Sequence, residues 1–225
     1  MIKVENIDVT GFEPAIRGMR NPMNSWDRSD SLFCSPDGCA FCKYHYEQCE
    51  NSTWRYPDSD FDIGQNDLDL MRRLYKGGSE HRKYLRMITV TMDITAPLYW
   101  WKEFDTYKIG TVANSCSTMH KLDSRDLILD DFSHDKMFGQ SIRILQEVID
   151  EINHCRQLFK TFKDKQYWWQ MIQLLPSSYN QRRTVMMNYE TVMNIIRQRS
   201  GHKLDEWNIF VDILKDLPYV KDITK

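Results

Sequence analysis

Along the first ten residues Ile2, Val4, Ile7 and Val9 keep an imperfect period of two, which predicts an opening strand over 1–10. Pro14 to Arg20 reads as a short helix. Residues 21–63 then lose all period and turn polar, rich in Cys and Asp, as an insertion into a folded scaffold does. From Asn66 onward Leu68, Met71, Leu74 and Tyr75 share one helical face, with Asn66 as the expected cap and Gly77-Gly78 as the stop. Ser79 to Leu85 is expected to make a further short helix. Ile88, Val90, Met92 and Ile94 then alternate with Thr89, Thr91 and Asp93, the mark of a half-buried strand.

The second half of the chain is dominated by the helical period. Ile142, Leu145, Val148, Ile149, Ile152, Leu158, Phe159 and Phe162 predict the longest helix, within 135–162. A short aromatic helix over 165–175 follows. Asn180 is the expected cap of a helix running to Arg199, and 204–217 reads as a last amphipathic helix with Trp207, Val211 and Leu214 inward. Long helices with few strands give a mixed α/β class, of the α+β kind, in a single domain over 1–225.

Composition and charge narrow the class. A chain of 225 residues, 41% hydrophobic, can bury a sizeable core. A net charge of -2 gives no general attraction to nucleic acid, so any nucleotide must be caught locally. No run nears the roughly 18 apolar residues that a bilayer span needs, and the Met1-Ile-Lys-Val start lacks the pattern of a secretory signal; a cytoplasmic protein is expected.

In that compartment the crowding of Cys34, Cys39, Cys42 and Cys49 argues for metal before disulfide. With His45 among them, four thiolates, or three thiolates and an imidazole, could hold zinc in a knuckle. The competing reading is a loop with free thiols. Cys155 falls on the long helix as a small core residue, whereas Cys116 lies among the polar residues discussed next.

Between Ala96 and His120 polar and aromatic groups are denser than a core element requires. A strand ending in Ala96-Pro97 leads into the aromatic turn Tyr99-Trp100-Trp101, then Thr106-Tyr107-Lys108, then a run holding Asn114, Ser115 and Ser117. Downstream, Leu175-Pro176 is followed by Asn188, Asn194 and Arg199, then His202, Glu206 and Trp207. Over roughly Asn66 to Trp207 this arrangement resembles the flavin-dependent thymidylate synthase family. The family carries Arg-His-Arg where this chain has Thr106-Tyr107-Lys108, and an Arg-Tyr pair where it has Met119-His120, so the cationic clamp is thinned.

The resemblance implies a small, mostly antiparallel sheet with several long helices, the fold of thymidylate synthase complementing proteins. It implies methylation of dUMP with FAD as the redox group, NADPH as reductant and methylenetetrahydrofolate as carbon donor, in a homo-oligomer. By the same resemblance Arg199 and Ser117 would act in catalysis. Asn188, Asn194, Lys108 and His81 would contact the cofactor, and Glu103, Asn114, Ser115 and Arg182 the nucleotide. A guanidinium suits a uracil carbonyl because it donates directed, charge-assisted hydrogen bonds, whereas Lys108 offers a phosphate a point charge without the planar fork. Trp100, Trp101, Trp168 and Trp169 read first as oligomer-interface anchors and second as a flavin sandwich. The alternative function is a scaffold that no longer catalyses and binds a nucleotide or a protein partner through the Cys-rich insertion.

Overall fold

The computed structural model describes residues 1–33 and 61–225, with the backbone alone at Phe33 and His120. The elements in chain order are β1 (Lys3–Thr10), α1 (Phe12–Arg20), β2 (Leu32–Phe33), β3 (Phe61–Asp62), α2 (Gln65–Lys76), β4 (Thr89–Pro97), α3 (Leu98–Phe104) and β5 (Thr111–Ser115). There follow α4 (Thr118–Lys121), α5 (Gln140–Phe162), α6 (Lys165–Leu174), β6 (Asn180–Asn188), α7 (Tyr189–Arg199), α8 (Asp205–Lys215) and α9 (Val220–Thr224). Four strands form a small antiparallel sheet in the order β1-β4-β6-β5, and β2 pairs with β3 in a separate two-stranded ladder. The class expected from the sequence is therefore the class observed.

The direction of pairing shows in single hydrogen bonds. Asn188 N donates to Gly110 O, and Cys116 N to Arg182 O, so β5 and β6 run opposite ways. Leu98 N donates to Tyr179 O and Tyr189 N to Ile88 O, which does the same for β4 and β6. On β4 the predicted alternation is real: Val90, Met92, Ile94 and Ala96 are buried while Thr89, Thr91, Asp93 and Thr95 are half-buried. At the β1–α1 joint Gly11 takes a positive φ of 94°, and a Cβ there would collide with the carbonyl oxygen of Met87, so no other residue fits.

The chain divides into two compact units. One comprises Met1–Glu5, Asp93–Lys108 and Ala113–Val185. Its core packs Leu145, Ile149, Ile152 and Cys155 of α5 against Met171 of α6 and against Leu122, Leu127 and Phe132. The other comprises Asn6–Met92, Ile109–Val112 and Met186–Lys225. There Phe12 meets Phe61, Tyr189 and Tyr219 at centroid distances of 6.0, 5.7 and 5.5 Å. Trp207, Phe210 and Leu214 of α8 are buried in the same unit.

Four sequence readings are corrected. Asn180 caps no helix: it opens β6, and the helix starts at Tyr189, where the side chain of Asn188 accepts from Thr191 N. Asn66 does not cap α2, whose N-cap is Gly64; the backbone N–H groups of Asn66 and Asp67 are met by the Asp30 carboxylate instead. In place of a helix over 79–85 there is a 3-10 turn at Lys83–Arg86. Trp100 and Trp101 are not surface anchors, because both are buried in their own unit against Phe104. The short helix α9 has no counterpart in the sequence reading.

Candidate functional site

The polar residues between Ala96 and His120 are organised by the buried end of β6. Trp101 Nε1 donates to Gln181 O at 2.9 Å, and Gln181 Nε2 donates to Cys116 O at 2.8 Å. One β6 residue thus fixes both α3 and the turn that follows β5. Neighbouring side chains on a strand point to opposite faces. Arg183 shares the Gln181 face, lying 4.2 Å from the Trp101 ring centroid with Nη1 2.7 Å from Asp105 Oδ1. Arg182 faces the other way and donates to Asp93 Oδ2 at 2.7 Å, while Thr184 donates to Asp93 Oδ1 at 2.6 Å. Both arginines therefore enter the site already paired.

Around this frame Asn114 and Ser115 stand exposed on β5, and Lys108 is exposed in the loop before it. Ser117 is half-buried just beyond the Cys116–Arg182 hydrogen bond, so the Asn114–Ser117 run lies alongside Arg182. Glu103 is half-buried on α3, where its carbonyl accepts from Thr106 N and Oγ1. This group offers a ligand one ammonium, an amide and two hydroxyls.

In the other unit Asn188 caps α7, which carries Asn194 and Arg199. Asn188 Oδ1 accepts from Thr191 N at 3.0 Å and from Thr191 Oγ1 at 3.2 Å, and Thr191 Oγ1 also donates to Ile109 O at 2.9 Å. Gly110, at φ 73°, lets the Asn188 amide pack against the bare backbone; a Cβ there would strike Asn188 Nδ2. Asn194 Oδ1 accepts from Arg197 at 3.4 Å. The guanidinium of Arg199 lies 4.5 Å from the Trp207 ring centroid, with Nη1 3.2 Å from His202 Nε2. Leu204 N donates to His202 Nδ1 at 3.2 Å, so His202 links α7 to the start of α8. Stacking on Trp207 and the contact with His202 both hold the guanidinium in place. His81 is exposed, next to Arg82, which pairs with Glu190 at 3.1 Å.

The cysteine set Cys34, Cys39, Cys42 and Cys49, with His45, lies outside the described residues. Among the described residues no group of three or more His, Cys, Asp or Glu could hold a metal ion, and no helix is long and apolar enough to cross a membrane.

No family model and no curated relative matches the chain. Solved structures do match. Thymidylate synthase X (ThyX) from Helicobacter pylori, in a structure with FAD and dUMP, covers 100% of both chains with a TM-score of 0.65 at 16% identity. A second structure of that enzyme complexed with FAD and dUMP gives 0.62 at 15%, over 98% of this chain and 97% of that one. The UMP/dUMP methylase PolB from Streptomyces cacaoi, bound with 5-Br UMP, gives 0.59 at 12%, over 100% of this chain and 92% of that one. The fold is ThyX-like.

On this ThyX-like fold several organising residues escape a reading by motif. Asp93 was visible as the polar member of an alternating strand, yet its partner Arg182 could not be found while 180–199 read as one helix. Gln181 and Thr191 act through backbone carbonyls, which leave no mark in residue spacing. The stacking of Arg199 on Trp207 has a signal in the sequence, since both residues fall in the polar run from Asn188 to Trp207.

Proposed function

We propose that this chain is a flavin-dependent thymidylate synthase-like protein that binds FAD and dUMP. The observation carrying the reading is end-to-end agreement with a fold whose solved examples hold those two ligands. Bound flavin would supply hydride chemistry; the chain's part is to hold, orient and neutralise. Lys108, His81, Asn188 and Asn194 are assigned to FAD, and Glu103, Asn114, Ser115 and Arg182 to the nucleotide. Arg199, its face steadied by Trp207, is assigned to the uracil carbonyl, and Ser117 to the reacting end. The donors fit in kind: the side chains of Lys108, Asn114 and Ser115 are exposed, and none makes a hydrogen bond or ion pair with another described residue. NADPH and methylenetetrahydrofolate would be co-substrates, and a cytoplasmic homo-oligomer belongs to the same reading.

One observation favours a second reading, a homologue that binds without turnover. Thr106-Tyr107-Lys108 carries one cation, and Arg182 and Arg183 are already paired to Asp93 and Asp105. A phosphate clamp then depends on Lys108 or on breaking an ion pair. Both readings share one experiment. Purified protein is expected to take up FAD with visible flavin absorbance, and dUMP to perturb that spectrum. Arg199→Ala is expected to weaken the dUMP response about tenfold or more while flavin stays bound. Colourless protein with excess FAD, and no dUMP-dependent change in Tm, would remove the FAD and dUMP assignments altogether. FAD and dUMP binding without formation of dTMP would select the second reading.

A further inference from the structure

We infer that a cavity wholly within the second unit, lined by none of the candidate residues above, binds a pyrophosphate-bearing ligand of the nucleotide class. It has a volume of about 930 Å³ and lies beside α2 and the 3-10 turns after α1. Four arginines line it: Arg20, Arg28, Arg72 and Arg73. Two of these are spoken for. Arg20 is buried and bonded through Nε to Asp67 and through Nη1 to Ser25 O, and Arg72 Nη1 is 2.7 Å from Asp69. Arg28 and Arg73 are exposed and form no ion pair with any described carboxylate.

The carboxylates nearby do not offset this surplus. Asp67 is enclosed by five donors, and Asp69 also accepts from Gln65 Nε2 at 2.7 Å. The α2 N-terminus is already capped by Asp30, so the attraction comes from guanidinium groups and not from a helix end. Unpaired guanidinium groups around one concavity match the doubly charged, oxygen-rich pyrophosphate, which each can grip through two parallel N–H bonds. The volume is far more than a bare phosphate needs and falls in the range of small-molecule pockets. Met23 and Leu70 give it an apolar wall against which a base can lie.

The test uses the full chain with two probes, inorganic pyrophosphate and ATP, by calorimetry at low and moderate salt. Both are expected to bind, more weakly as salt rises. The double variant Arg28→Ala/Arg73→Ala is expected to lose about tenfold or more in affinity for each, with Tm unchanged, since both side chains are exposed. The dUMP-dependent change in the flavin spectrum, measured on the same samples, is expected to be unaltered, which separates this cavity from the FAD and dUMP assignment. Tighter binding of ATP than of pyrophosphate would assign the apolar wall to the base, and equal binding would confine recognition to the phosphates. No binding of either probe, or binding indifferent to the double variant, would overturn the inference.

Discussion

At the scale of single residues, Asp67 is the group on which the surroundings of α2 depend most. Burial by itself would raise its carboxyl, but hydrogen bonds from Ser29, Ser31 and Arg20 outweigh burial and hold it below the ordinary carboxylate range. A carboxyl lowered by folding stabilises the fold above its unfolded value, about 3.9, and loses that contribution as pH falls through its folded value. Asp67→Asn is therefore expected to cost about 3 kcal/mol or more at neutral pH, because it strands the buried Arg20. The gap from wild type should close below about pH 4, as urea unfolding at a series of pH values will show. Cys155 makes the opposite case. Burial first, and then its hydrogen bond to Glu151, push its thiol up, while Cys116 is exposed. Timed alkylation of native protein at neutral pH, mapped by peptide mass, is expected to modify Cys116 well before Cys155.

At the scale of elements, the join of β6 to α7 sets two roles of Asn188 against each other. As a cap it uses its carbonyl oxygen; as a flavin contact it would use its amide N–H. Asn188→Asp keeps the acceptor and removes the donor, so it is expected to hold Tm while weakening FAD uptake. Asn188→Ala should lose both, with about 1 kcal/mol of stability. If Asp binds FAD as well as wild type does, Asn188 is a cap and nothing more. Gly110→Ala is expected to lower Tm, since the positive φ and the collision with Asn188 add. What was legible in the sequence follows from how each element earns its burial. β4, α2, α5 and α8 each bury one clean stripe, so periodicity found them. β6 leaves no clean alternation, because the inward positions Gln181, Val185 and Met187 include a polar residue and the apolar Met186 stands between two of them, so its pattern runs into the period of α7. The cap of α2 was missed because its partner, Asp30, lies far back in the chain.

At the scale of the whole molecule, the class and the antiparallel sheet were legible, whereas the pairing of candidate cations was not, since Asp93 and Asp105 are distant in sequence from Arg182 and Arg183. A mass by light scattering that is a multiple of 27.0 kDa at micromolar concentration is expected, and a clean monomer would end the shared-site part of the proposal. The small ladder of β2 and β3 has a consequence of its own. With Leu32 opposite Asp62 and Phe33 opposite Phe61, the chain leaves the scaffold and rejoins it at one doorway. The ends left by a deletion of residues 34–60 therefore already lie side by side. Joining Phe33 to Phe61 through Asn-Gly, the natural two-residue hairpin turn, closes the doorway without changing the register. Removing so long a closure is expected to add on the order of 2 kcal/mol if the deleted residues contribute no packing, and a fall in Tm would show that they do. The trimmed protein also gives zinc analysis a matched blank, so that any metal lost with the deleted residues can be assigned to their four cysteines.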